Sequence, residues 1–251
     1  MASFLNHDKS LLTVILQCHD PETAIGRIRN AHALGSEAYG LQVESLRAEY
    51  HNEETYCKIF KEMKQKPVYV TYYRGKTNKG KTDDELAEGI LALADSGATL
   101  CDVMGDLFCK DDEELTMDPV AVEKQIKLID ALHQKGAEVL MSSHLYKFAP
   151  AERVLEIAFE QKKRGADIIK IVTKANDMEE QIENLRITQL LKKELGAPFL
   201  FLAGGKSTIH RRLGWKLGCC MNLCVYEHDA YSTASQPLLQ TMKTVRDGLD
   251  F

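Results

Sequence analysis

The stretch "ADIIKIVTK", residues 166–174, sets one lysine, Lys170, inside a run of isoleucine and valine. Successive residues of a strand face opposite sides, so Ile169 and Ile171 share one face and Lys170 takes the other. Burial disfavours a charged ammonium, and a neutral amine attacks carbonyl carbon to give a Schiff base. The alternative is a lysine whose stem packs while its head reaches water. A second group decides between them. His144 ends the preceding apolar run, "EVLMSSH" (138–144), and an imidazole beside an imine moves protons near neutral pH. A lone histidine at a strand end is commonly structural; the weight falls on the pair. Other polar residues close apolar runs as well. Gln42 and Glu44 end "AYGLQVES" (38–45), two apart and therefore on one strand face, and Arg74 follows "PVYVTYY" (67–73).

These residues need elements to hold them. Besides the runs already quoted, "LLTVILQ" (11–17), "TLCDVM" (99–104), "PFLFLAG" (198–204) and "NLCVYE" (222–227) read as strands. Between the strands lie helical patterns such as "DPETAIGRIRNAHALG" and "TDDELAEGILALADSG", each opened by a capping residue and closed by glycine. Strand and helix alternate about eight times, which implies parallel strands with crossover helices. The α/β fold expected is a (β/α)8 TIM barrel, one domain over residues 1–251, with its functional groups where the strands end. A doubly wound open sheet would want a glycine-rich phosphate loop, and "LLTVILQCHDPETAIG" has none.

Composition narrows the partners. The chain has 251 residues, 44% hydrophobic and 27% charged, with net charge −5. It has no basic block to suit nucleic acid and no apolar run of the roughly 18 residues a membrane span needs. Its N-terminus lacks the pattern of a signal peptide. The seven cysteines are scattered. Cys219, Cys220 and Cys224 lack paired zinc-ligand spacing, so reduced core thiols in a cytoplasmic protein are expected, with no metal and no cofactor.

With these residues in view, the chain resembles type I 3-dehydroquinate dehydratase, the Schiff-base dehydratase of the shikimate pathway. The resemblance runs along nearly the whole chain. "VLMSSHLYKFAP" (139–150) is similar to the family's M-S-x-H-x-F segment, and "ADIIKIVTKAND" (166–177) to its D-x-x-K strand. "GGKSTIHRRLG" (204–214) resembles the loop that ends in a substrate arginine, and "YSTASQ" (231–236) resembles S-A-P-G-Q. The resemblance implies that Lys170 forms an imine with a substrate ketone and that His144 is the general acid and base. It implies that Arg212, Ser232 and Gln236 hold the carboxylate of a small keto-carboxylate. Arg74 matches an arginine after the third strand. Family members are commonly homodimers; the residues themselves are silent on oligomeric state.

The chain departs from the family where ring hydroxyls are gripped. The second strand there reads E-x-R, and here Gln42 and Glu44 stand at those places; a two-residue slip would align Glu44 with the glutamate and Leu46 with the arginine. Asn78 replaces a glutamate, and Met104 an acidic residue. Three functions follow: dehydration of 3-dehydroquinate, class I lyase or aldolase chemistry on a different keto acid, or a barrel kept as a binding protein. The "YRGKTNKGKT" segment (73–82) suits either a mobile lid or a solvated loop.

Overall fold

The computed structural model describes residues 2–5 and 7–249. The apolar runs form β1 (Leu11–Leu16), β2 (Ala38–Gln42), β3 (Val68–Thr71), β4 (Leu100–Met104), β5 (Glu138–His144), β6 (Ile168–Ala175), β7 (Phe199–Gly205) and β8 (Met221–Cys224). They pair in parallel in one eight-stranded sheet, ordered β7-β6-β5-β4-β3-β2-β1-β8. The ends of that order meet where Cys220 N donates to Phe199 O at 2.9 Å, so the sheet curls into a (β/α)8 barrel.

The period of two in each strand sorts side chains to the two faces. Leu12, Val14 and Leu16 of β1 pack outward with Ala24, Ile28 and Ala31 of α1 (Pro21–Ala33). Leu11 and Ile15 turn inward and join Tyr69, Leu100, Leu140, Ile168 and Leu200 inside the barrel. Gly40 on β2 makes room there: a Cβ would meet Ile15 Cδ1 at 2.4 Å and the Tyr69 ring at 2.9 Å. The missing side chain therefore seats Tyr69 in the interior.

The helices begin and end where the caps indicate. Asp20 accepts from Thr23 N at 2.8 Å to open α1, and Gly35, at φ +82°, takes the left-handed turn after it. Thr82 and Glu85 form a capping box at the start of α3 (Asp83–Asp95). The remaining helices are α2 (Glu53–Glu62), α4 (Pro119–Gln134), α5 (Ala151–Lys163), α6 (Met178–Glu194), α7 (Thr208–Leu213) and α8 (Leu239–Leu249). Helix α2 is absent from the sequence reading, although Asn52 caps it and Tyr56, Ile59 and Phe60 form its buried face. No described helix is long and apolar enough to cross a membrane.

Four strands, β1, β2, β3 and β8, stop short of their apolar runs. The most consequential is β2, which ends at Gln42 and turns into a 3-10 turn at Val43–Ser45. Leaving the ladder swings the Glu44 carboxylate back onto β3, where Thr71 Oγ1 donates to it at 2.9 Å. Gln42 and Glu44 thus do not share a strand face.

Candidate active site

Lys170 lies inside the barrel, 4% exposed. Its Nζ donates to Tyr73 Oη at 2.7 Å, Tyr69 Oη at 2.9 Å and Asp102 Oδ2 at 3.0 Å, which uses all three ammonium protons. Both phenols in turn donate to Asp102 Oδ2, and Ser142 Oγ donates to Asp102 Oδ1 at 2.6 Å. Burial first, and the Asp102 charge second, hold the Tyr69 and Tyr73 phenols well above the ordinary tyrosine range. They are therefore protonated donors. The ammonium and carboxylate form a buried ion pair whose remaining valences are met, the condition under which such a pair is tolerated.

His144 stands one layer above. Register pairs Lys170 with Ser142, and His144 follows two residues later on the same face, roughly 7 Å further along the strand. Its Nδ1 donates to Glu114 Oε2 at 2.6 Å, and its backbone N donates to the same oxygen at 3.1 Å. A carboxylate only accepts, so Nδ1 carries a proton, and Nε2 is the nitrogen that the neutral ring leaves open for proton transfer. Glu114 comes from the β4–α4 loop. That loop is pinned by buried Arg164, which donates to Gly105 O at 3.0 Å and Thr116 O at 2.6 Å. Gly105 is required for close approach: a Cβ would sit 2.4 Å from Glu114 O.

A cavity of about 590 Å3 opens above these groups, lined among others by Gln42, Glu44, Tyr73, Arg74, Met104 and His144. Tyr73 forms the part of the wall nearest Lys170, with its ring edge-on to His144 at a centroid distance of 5.5 Å. Burial raises the Glu44 carboxyl above its ordinary value, against the hydrogen bonds it accepts. Arg74 is committed to the protein itself, with bonds to Asp83 at 2.8 Å and 2.6 Å and to Asp106 at 2.6 Å. Burial opposes its charge, and these carboxylates outweigh burial and raise its pKa. Asn78 lies outside the cavity lining and donates to Tyr73 O at 3.0 Å.

The other expected residues lie apart. Arg212 and Gln236 line a second cavity of about 490 Å3, and Arg212 Nη1 donates to Thr208 O of its own helix at 2.8 Å. Ser232 is folded into a turn, where its Oγ accepts from Asp229 N at 2.9 Å. Its neighbour Thr233 reaches the His144 cavity and is tied by its N–H to Gln17 Oε1 at 2.8 Å. The second cavity also holds Arg211, 8% exposed, with Nε on Ala203 O at 2.7 Å. Among the described residues Arg211 has no carboxylate partner, and burial pushes it down to about 10. Ser207 Oγ and Gln236 Oε1 in this cavity are buried without partners among the described residues. A lone buried cation beside an unfilled hydroxyl, that of Ser207, suits a carboxylate.

Several of these residues escape sequence reasoning. Asp102 sits in "DVM", where attention goes to Met104. Tyr69 and Tyr73 fall four apart and so share Thr71's face, a signal the alternation does contain. The adjacent Arg211 and Arg212 are separated only by burial. Glu114 belongs to an acidic run that reads as solvated loop. Among the described residues no cluster of His, Cys, Asp or Glu is arranged to hold a metal ion.

Fold and site together define a (β/α)8 barrel with a buried amine, Lys170, bonded to Tyr73 in the wall of a cavity at the strand ends. The chain belongs to the type I 3-dehydroquinase family, whose sequence model matches residues 12–250. It is 33% identical over 108 residues to the 3-dehydroquinate dehydratase of Alkaliphilus oremlandii, covering 42% of this chain and 41% of that one. It is 29% identical over 117 residues to that of Geobacillus thermodenitrificans, covering 45% and 44%. These matches span less than half the length of either relative. The crystal structure of 3-dehydroquinate dehydratase from Geobacillus kaustophilus superposes with a TM-score of 0.84 at 17% identity, over 99% of this chain and 95% of that one. The type I enzyme from Clostridium difficile gives 0.82 at 16% identity, over 98% and 94%. Both show the shared barrel.

Proposed function

We propose that the protein is a Schiff-base-forming hydro-lyase that removes water from 3-dehydroquinate or a closely related keto-carboxylate. The observation that carries this is the buried amine of Lys170 beneath a cavity whose wall holds His144 on Glu114. An imine at Lys170 withdraws electrons from the adjacent carbon and makes its proton acidic. His144 Nε2 removes that proton and returns it to the departing hydroxyl, so that one imidazole serves as base and then acid. Arg211, with Arg212 and Gln236 beside it in the second cavity, binds the substrate carboxylate across the 233–236 loop, which borders both cavities. Gln42 and Glu44 meet the hydroxyl side of the ring.

The reading carries a cytoplasmic enzyme with it; all seven cysteines are free thiols, which suits a reducing compartment. It also carries a dimer, which rests on the family resemblance and is checked by light scattering. The decisive experiment is borohydride trapping with 3-dehydroquinate followed by intact mass. The expected adduct maps to Lys170 and vanishes in Lys170→Met. An adduct with other keto acids but none with 3-dehydroquinate would transfer the chemistry to a different substrate, the reading toward which Gln42, Glu44 and Met104 lean. Absence of an adduct with any carbonyl would leave a binding protein.

A further inference from the structure

We propose that Tyr73 carries protons between nitrogen and oxygen while the Lys170 imine forms and hydrolyses, a role distinct from that of His144. The proposal rests on Lys170 being the imine-forming amine.

Imine formation moves protons in a fixed count. The ammonium begins with three. The iminium nitrogen keeps one, and the other two leave with the ketone oxygen as water. No outside acid or base is consumed, but two protons must travel from Nζ to an oxygen that sits one carbon away. Something must touch both atoms in turn.

Among the described residues three side chains bond Nζ: Tyr69, Tyr73 and Asp102. Tyr69 is 2% exposed and Asp102 1%. Of the three, Tyr73 alone lines the cavity through which a ketone must arrive. Its hydroxyl is 2.7 Å from Nζ. A ketone carbon that reaches Nζ from the Tyr73 side, the side of the cavity, brings its oxygen within hydrogen-bond reach of that same hydroxyl. His144 is otherwise placed, with Nδ1 on Glu114 and its ring edge-on to Tyr73.

The steps balance. The ammonium passes one proton to the Asp102 carboxylate. The amine lone pair forms the C–N bond, the carbonyl π pair moves to oxygen, and oxygen takes the Tyr73 proton. Tyr73 is reprotonated by the now cationic nitrogen. In the second half the carbinolamine hydroxyl takes the Tyr73 proton and leaves as water while the nitrogen lone pair forms C=N. Asp102, already an acceptor from Tyr73, returns the stored proton to the phenolate. The iminium and the Asp102 carboxylate remain, as the ammonium and carboxylate began. Hydrolysis runs the same path backwards.

The test compares Tyr73→Phe with Tyr69→Phe, which removes an equivalent hydroxyl from the same amine but away from the cavity. The rate of borohydride-trapped adduct at Lys170 is followed by intact mass against the concentration of 3-dehydroquinate and, separately, of pyruvate. Tyr73→Phe should lower the limiting rate about 100-fold, the weight of a placed proton carrier. Its half-saturating concentration should stay within about twofold, a split that lost packing would not produce. Tyr69→Phe should cost about fivefold, the weight of one hydrogen bond. Equal losses in the two variants, or an unchanged limiting rate in Tyr73→Phe, overturn the proposal. An adduct with pyruvate alone tests Tyr73 just as well while removing 3-dehydroquinate as substrate. A wild-type protein that traps no carbonyl overturns the imine reading and this proposal with it.

Discussion

The floor of the site and its rim are built differently. Around Lys170 every polar side chain is paired: the ammonium, two phenols, a hydroxyl and a carboxylate close on one another inside the barrel. Four of the five come from β3 to β6, and Tyr73 lies just past the end of β3. At the rim the groups come largely from loops and short turns, and Gln236 and Ser207 hold buried polar atoms with no partner among the described residues. On the proposed function strands fix most of the atoms that react, Tyr73 excepted, where an error of an ångström is costly. Loops would then supply most of the atoms that recognise, with valences open to a ligand.

The contrast is broken most severely at its boundary, where floor meets rim. His144→Ala should lower kcat about 1,000-fold while the Lys170 adduct still forms, because on the proposed function the imidazole handles the carbon proton and not the amine. Steady-state turnover of 3-dehydroquinate beside borohydride trapping reads both. Turnover that survives unchanged would remove His144 from the chemistry.

The rim gives the next effect. Arg211→Ala should raise KM for 3-dehydroquinate roughly 10- to 100-fold, the range for losing a charge-assisted hydrogen bond to a carboxylate, and Arg212→Ala should stay within about threefold. Among the described residues Arg211 is buried without a carboxylate partner, whereas Arg212 spends a donor on its own helix. The reverse ranking would restore Arg212, the residue to which the family resemblance alone points. Glu114→Gln is smaller again. It keeps an acceptor for His144 Nδ1 but removes the charge, and kcat should fall about tenfold with KM little changed. Equal loss in KM would make Glu114 a substrate contact.

Legibility follows the same boundary. The barrel was readable because strand alternation, caps and closing glycines are local signals, and Lys170 was readable because a cation among isoleucines is conspicuous. What was hidden depends on closure of the barrel. Asp102 and Lys170 are 68 residues apart and meet only when β4, β5 and β6 lie side by side. Glu114 gains meaning only when Gly105 and Arg164 fold its loop onto β5. Glu44 looked like a strand neighbour of Gln42, and the early end of β2 could not be anticipated, because the Thr71 hydroxyl that receives its carboxylate lies on another strand.

Glu44 also gives the subtlest test of how rim and floor differ, since it is a rim residue with a floor residue's burial. Burial raises its carboxyl above the ordinary 4.5 of glutamate, with bonds from Thr71 and Tyr73 N and the nearby Lys76 charge opposing. The native state therefore keeps a proton that the unfolded chain has already lost. Between the ordinary value and the raised one the native state binds more protons, so stability falls as pH rises through that window. Glu44→Gln cannot titrate. Its thermal midpoint relative to wild type should climb from about pH 4.5 upward and level off above the raised value, by a few degrees at most. Asp106, whose carboxyl burial also raises, is present in both proteins and cancels in the difference. A difference that stays flat across this range would mean that the Glu44 carboxyl is solvated as an ordinary rim acid.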